Sequence, residues 1–378
     1  MSASTPLHAL HAAGQSIWLD FIDRTLLQGD TLAARIRDEA LTGMTSNPTI
    51  FEKALAAGTA YDAQLKAAAA GKTAWELFEL VETDDVRTAC DAFRPLYETT
   101  EGRDGFVSIE VSPGAAHDAK ATVAEAHRLW QTVDRPNVMI KVPGTAEGCV
   151  ALEQLIADGL NVNVTLLFAV AAHERVIDAY LAGLERRAAA GQPLDHVASV
   201  ASFFVSRVDS AIDAALDAQV KAGTLAADRA KTLQGKAAIA NAKRAYRLFQ
   251  QKFSGPRWQA LSAKGAQLQR PLWASTSTKN PSYRDTIYVE ELIGPDTVNT
   301  MPPNTLDAFR DHGITKRTVD ADVAAADAVL AELEGLGIKL DAVTDKLLAE
   351  GLASFQKSFD TLVAGIEQKT AALAAAGR

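Results

Sequence analysis

The chain has 378 residues, 48% of them hydrophobic and 22% charged, a composition that supports a sizeable soluble core. A formal net charge of −9 supplies no basic footprint, so no nucleic-acid or membrane-surface partner is expected, and no run approaches the ~20 apolar residues of a membrane span. Only Cys90 and Cys149 occur, without metal-ligand spacing, and residues 1–14 lack a signal peptide's basic start and apolar stretch, which together predict a reducing, cytoplasmic setting.

Residues 16–20 read as a strand ending in the carboxylate of Asp20, and 32–39 as a short helix. A second short strand within 41–48 runs into a turn at Asn47-Pro48. Helical sequence rich in Ala, Leu and Glu follows over 49–57, 60–71 and 74–92. The third strand, 105–111, carries Glu110 near its end, and a helix over 115–131 leads to the fourth. That fourth strand, 138–142, is an apolar, mostly β-branched run stopped by Pro143-Gly144, with Lys141 inside it. Helix 146–158, strand 160–165, helix 169–190 and strand 197–204 come next. Residues 209–221 and 226–253 are helical, 270–275 form the seventh strand, 288–292 belong to a helix, and 297–301 form the eighth strand. The remaining helices are 305–309, 319–336 and 340–375, with 370–378 a fraying helix end.

Eight short strands alternating with helices predict a parallel α/β fold, and eight is the count that closes a (β/α)8 TIM barrel. An open doubly wound sheet is the alternative, but no strand here is followed by a glycine-rich dinucleotide turn. In a barrel, the carboxyl ends of the strands form the active-site face. Seven of the eight strands bring polar groups there: Asp20, Asn47, Glu110, Lys141, Asn163 with Thr165, Ser202 and Ser275. Any one of these is as readily a satisfied core polar group or a helix cap; seven strands ending this way are not. An amine, two carboxylates and neutral hydrogen bonders are the parts that Schiff-base chemistry needs. Arg207 and Lys279 follow strands six and seven, where this fold often holds a phosphate, although a solvated surface charge is the plainer reading of each.

Lys141 carries the strongest argument. Its ammonium would cost several kcal/mol to desolvate without a partner. A free lysine, with a pKa of about 10.4, is neutral only roughly one part in a few thousand at pH 7. Burial can lower that pKa by ~3–5 units, freeing the amine to attack a carbonyl carbon. The bland alternative is a lysine that snorkels to water from the strand end. No histidine pair of the H-x-x-x-H kind and no cysteine cluster offers a metal route to the same end.

Five segments resemble the transaldolase family: Thr45-Ser46-Asn47-Pro48-Thr49, Ser108-Ile109-Glu110-Val111-Ser112, Ile140-Lys141-Val142-Pro143, the run from Asn161 to Phe168, and the run from Ala201 to Arg207. The run from Ala274 to Asn280 and that from Thr297 to Pro302 are similar to the family's longer bacterial branch, so the likeness extends over 16–309 in order. The resemblance implies a barrel that moves a dihydroxyacetone unit from a ketose phosphate to an aldose phosphate in the non-oxidative pentose phosphate pathway, with no cofactor or metal. It implies that Lys141 forms the Schiff base and that Asp20 handles the proton of carbon–carbon cleavage. Glu110, with Thr165 holding a water, serves imine formation. Asn47, Asn163, Ser202 and Phe204 meet the sugar, and Arg207, Ser275 and Lys279 the phosphate. One departure stands out: shorter members place an arginine where Lys279 stands, and a lysine lacks the bidentate fork.

Related lyases, similar to fructose 6-phosphate aldolase, are the nearest rival. They are shorter, with glutamine at the position of Glu110 and tyrosine at that of Phe204; an apolar Phe204 has no group to orient a water that would protonate the carbanion. A barrel that only binds sugar phosphates or a protein partner would leave Lys141, Asp20 and Glu110 as coincidence. From Val319 onward no catalytic motif aligns. The expectation is one domain over 1–378, with 319–378 as helices on the barrel's outside, sugar phosphates as partners, and a homodimer left open.

Overall fold

Each of the eight predicted strands forms, and together they close a parallel barrel in chain order, the first strand pairing with both the second and the eighth. They are β1 (Gln15–Asp20), β2 (Gly43–Thr45), β3 (Phe106–Glu110), β4 (Val138–Pro143), β5 (Val162–Leu167), β6 (Ser199–Phe204), β7 (Gln269–Ala274) and β8 (Thr297–Met301). The structure, a computed structural model, describes residues 5–56 and 58–376. Ala57, which closes the predicted 49–57 helix, lies outside the described residues, as do the first four residues and the final two.

Burial on both faces explains the strands' continuous apolar runs, since helices cover the outside while side chains fill the inside. The charged groups on the barrel floor are paired. At its N-terminal end, Arg270 of β7 reaches Asp104 at 3.0 Å and Ser16 at 2.7 Å, and both side chains of the ion pair are buried. Because each ion is matched and hydrogen-bonded, this interior charge escapes the penalty of an isolated one. It also plugs the floor, so ligands must enter from the other end.

The predicted helix 146–158 appears as drawn, Ala146–Asp158, capped by Thr145, whose Oγ1 accepts from Gly148 N at 2.9 Å. Other boundaries moved for identifiable reasons. Expected to stop at residue 92, the long helix before β3 runs Ala74–Thr99 through Pro95, with the hydroxyls of Thr99 and Thr100 bonding carbonyls of its last turns. The predicted 226–253 helix is two, Ala227–Leu233 and Ala237–Lys252, broken where Gly235 takes φ +70°. Helices Pro6–Ala12, Arg24–Leu27 and Pro256–Ser262 were not foreseen; at 4 to 7 residues, they are too short to show a period.

The additional C-terminal helices are present. Helix Val323–Gly335 packs outside the barrel against Ala237–Lys252, as expected. The final helix, Leu340–Ala376, is outside the barrel as well, but over its open end. It packs on helices Pro48–Ala56 and Ala74–Thr99 and reaches Ser206–Lys221 and the end of β5, lying across the barrel mouth. An aromatic cluster docks it: Phe359 lies 4.9 Å from Trp75 and 6.2 Å from Phe78, which in turn meets Phe51 at 5.7 Å. Such pairs add about 0.5–1.5 kcal/mol each beyond their burial. Gly351 permits the close crossing, because a Cβ there would lie 3.0 Å from Leu166. Among the described residues, no helix is long and apolar enough to cross a membrane.

Candidate active site

A cavity of about 570 Å³ opens at the carboxyl ends of the strands, and Lys141 lies in its lining. Parallel register places Glu110 of β3 beside Lys141 of β4, and Lys141 beside Asn163 of β5. The lysine is 5% exposed, which excludes snorkelling. Its Nζ donates to the Ser46 carbonyl at 2.9 Å and to Glu110 Oε2 at 3.0 Å. The cost of burying an amine without a partner is thus avoided: a carboxylate set beside it by strand pairing and a carbonyl just beyond β2 both accept from it.

Both carboxyls are raised from the ordinary carboxylate range, and for the same reason. For Asp20, burial is the largest cause, opposed by Lys141, Lys279, Arg207 and Thr45. Asp20 keeps a little surface open to the cavity while protein surrounds it. For Glu110, burial again leads, opposed by Lys141 and reinforced by Asp20. The Lys141 cation thus opposes both shifts, and the charge of Asp20 adds to that of Glu110.

Most of the predicted residues converge here. Asp20, Asn47, Lys141, Thr165, Ser202, Phe204, Arg207, Ser275 and Lys279 all line the cavity. Asn47 caps its own helix through Oδ1, which accepts from Ile50 N at 3.0 Å, leaving the NH2 available to a ligand. Glu110 stands behind Lys141 and is not part of the wall. Neither is Asn163: its amide bonds Ser108 at 3.0 Å and Ser202 at 2.7 Å, so it orients Ser202. Thr165 Oγ1 is buried with no protein partner, as a hydroxyl awaiting a water or a ligand would be.

The cations gather on one side of the mouth. Arg207 lies over the Phe204 ring, 5.2 Å from its centroid, in a cation–π contact that orients the guanidinium. Burial depresses its pKa first, with Asp20 acting the other way. Lys279, more open to solvent, is lowered by partial burial, then by Arg207, while Asp20 opposes and Lys53 adds to the lowering. Like charges held this close mark a place for an anion. Ser275 turns the chain into this rim at φ +56°, a left-handed backbone costly for a serine, and its Oγ sits 3.0 Å from Ser206 Oγ.

Sequence reasoning missed Thr300, Lys53 and Phe355, which also line the cavity. Thr300 is the penultimate residue of β8, the one strand assigned no polar group, and its buried Oγ1 has no protein partner. It could have been found by counting eight strand ends instead of seven. Lys53 lies on a helix and Phe355 on the final helix, where no strand-end rule points.

A barrel presenting an amine between two carboxyls beneath a cationic rim has the make-up of a Schiff-base enzyme for anionic carbonyl substrates. The profile of the Transaldolase/Fructose-6-phosphate aldolase family matches residues 17–366, and the chain belongs to that family. It is 51% identical to a transaldolase of Acidothermus cellulolyticus, over 96% of each chain. Identity to a transaldolase of Trichodesmium erythraeum is 47%, over 94% of this chain and 95% of that one. A transaldolase of Thermobifida fusca is 48% identical, over 97% of this chain and 99% of its own.

Proposed function

We propose that the chain is a transaldolase, transferring a dihydroxyacetone unit from sedoheptulose 7-phosphate or fructose 6-phosphate to glyceraldehyde 3-phosphate or erythrose 4-phosphate. The observation that carries this reading is the Lys141 amine, 3.0 Å from Glu110, in the same cavity as Asp20 and the Arg207–Lys279 rim. Glu110 takes a proton from the amine, and Lys141 attacks the ketose carbonyl. The carbinolamine loses water with Glu110 as acid and Thr165 holding that water. Asp20 removes the C4 hydroxyl proton, the C3–C4 bond breaks, and its electron pair passes into the protonated imine. Raised carboxyls suit both tasks, because a general acid or base works best when it titrates nearer the working pH. The aldose phosphate leaves; the three-carbon enamine then attacks the carbonyl carbon of the acceptor aldehyde, Asp20 returns its proton to the new C4 oxygen, and hydrolysis of the resulting imine, with Glu110 and the Thr165 water, frees the product and Lys141. Asn47, Ser202 and Phe204 border the sugar; Arg207, Ser275 and Lys279 hold its phosphate. The setting is the cytoplasmic non-oxidative pentose phosphate pathway, with the whole chain acting as one catalytic unit.

Transfer, not simple cleavage, is tested by leaving the acceptor out. With fructose 6-phosphate alone, little free dihydroxyacetone should appear; erythrose 4-phosphate should accelerate turnover greatly. Equal release without the acceptor would establish the lyase instead. The rival reading turns on Phe204, so Phe204→Tyr should raise acceptor-free release by giving a water a partner.

Thr300 should contact a sugar hydroxyl. A buried hydroxyl without a partner costs about 1–3 kcal/mol, and a substrate oxygen would relieve it. Thr300→Val keeps the shape and should lower kcat/KM roughly 10-fold, whereas Thr300→Ser should stay near wild type. An unchanged kcat/KM in the valine variant would remove Thr300 from the site.

A further inference from the structure

The loop from Ser275 to Thr286, between β7 and the short helix Ile287–Glu290, carries Ser277 and Lys279 into the cavity. Its two ends are tied down. Thr276 Oγ1 bonds Asn299 Oδ1 and the Thr300 carbonyl, both at 3.0 Å, and Asp285 meets His312 at 3.0 Å. The middle is another matter. Lys279 Nζ donates to Ser277 Oγ at 2.7 Å, Ser282 N to Asn280 Oδ1 at 2.9 Å and Tyr283 N to the Asn280 carbonyl at 3.1 Å. These bonds shape the segment without joining it to the barrel.

Arg284, near the loop's end, pairs with Glu290 and Glu291 at the end of the helix that follows; among the described residues, the hydrogen bond from this segment to helix Ser206–Lys221 comes from Tyr283. Tyr283 OH donates to Asp213 Oδ2 at 2.6 Å, and the other oxygen of that buried carboxylate accepts from Gly235 N at 3.1 Å. The Tyr283 ring lies on Gly235, where a Cβ would come within 2.8 Å of it. Gly235 is the left-handed residue that breaks the helix preceding Ala237–Lys252, so the break is where the ring is seated. Four residues before Asp213, on the same face of helix Ser206–Lys221, Asp209 repeats the arrangement. It accepts from Tyr288 OH at 2.8 Å and from Ala238 N at 2.7 Å. A cleft between the loop and this helix is lined by Asp209, Asp213, Tyr283, Tyr288 and Lys279, so Lys279 is part of the wall between the cleft and the active-site cavity. The helix that bears Asp213 also bears Arg207 near its start.

We infer that the Tyr283–Asp213–Gly235 clasp is a positioning device that fixes the spacing between Lys279 and Arg207, and so sets the affinity of the rim for the substrate phosphate. The inference rests on the reading of that rim as the phosphate site. A lysine is a point charge on a flexible stem with no bidentate geometry of its own, so its placement must come from the loop. Without the clasp, the loop's middle samples positions in which the two cations no longer converge on one phosphate, and a fraction of molecules is incompetent to bind.

Tyr283→Phe deletes only the hydroxyl, and Asp213→Asn weakens the same junction from the other side. Each should raise KM for fructose 6-phosphate and the inhibition constant of inorganic phosphate by about 5–10-fold, with kcat within twofold and thermal stability little changed. The double variant should be no worse than the more affected single one, because both act through one contact. Lys279→Ala is the control: it should weaken phosphate inhibition by at least as much, and Tyr283→Phe should add nothing on that background. If Lys279→Ala leaves phosphate inhibition intact, the rim reading fails. If Lys279→Ala weakens it but neither Tyr283→Phe nor Asp213→Asn does, the clasp is not a positioning device. A fall in kcat with phosphate inhibition unmoved, or a loss of folded protein in both single variants, would make the contact structural and overturn the inference.

Discussion

Replacing Lys141 with alanine removes turnover, by ~10⁴-fold or more, and removes borohydride inactivation with it. The size follows from the nature of the step: without a covalent imine, no electron sink exists for the breaking carbon–carbon bond, and no neighbouring group substitutes. In the unaltered protein, borohydride with fructose 6-phosphate should add one reduced three-carbon unit, located on Lys141 by peptide mass. Lys53 and Lys279 also line the cavity and serve as internal controls. Lys53 sits on a helix and Lys279 on a loop, where no carboxyl is set beside the amine by strand register as Glu110 is beside Lys141. An adduct on either, or none while activity persists, would dismantle the mechanism. Because Lys141 is paired with buried Glu110, alanine leaves that carboxyl without its cation. Lys141→Met, similar in length and apolar, therefore belongs beside it, since a folded but inactive methionine variant separates lost chemistry from lost stability.

The second large effect divides the labour of the two carboxyls. Asp20→Asn keeps the shape and removes the base, so imine formation should survive while cleavage slows by ~10²–10⁴-fold. The imine then accumulates, and the fraction trapped by borohydride during turnover should rise. Glu110→Gln should do the reverse. Glu110 bonds the amine at 3.0 Å, so it is placed for the proton transfers that make the imine, and its loss slows that step before any adduct can build up. Asp20 lines the same cavity and feels Lys141 first, then the rim cations Lys279 and Arg207. On the proposed reading it serves the end of the sugar that departs. Equal trapping in the two variants, or more in Glu110→Gln, would mean that the roles are exchanged or merged.

The barrel was legible because its strands are short, apolar and punctuated, and parallel burial leaves that pattern no other use. Strand-end polarity was legible for the same reason, and nine of the eleven named site residues reach the cavity wall. What escaped has physical causes. The pairing of Lys141 with Glu110 depends on register between strands, which no single strand displays. Asn163 and Ser202 look alike as polar strand residues, yet one is engaged in orienting the other. The break at Gly235 looked like a tolerated glycine in a helix because its reason, the Tyr283 ring, lies far along the chain. Phe355 sits in an alanine-rich helix whose pattern reads as an outer face, and only tertiary packing turns it inward.

The crossing of the mouth by helix Leu340–Ala376 has a consequence for the order in which the enzyme is made. Every barrel strand has left the ribosome before Phe355 is translated. A nascent chain thus carries the amine, both carboxyls and both rim cations before it carries the residue of the last helix that lines the cavity. The last helix, through Phe355, therefore completes the cavity wall after the strands that carry the site have been made.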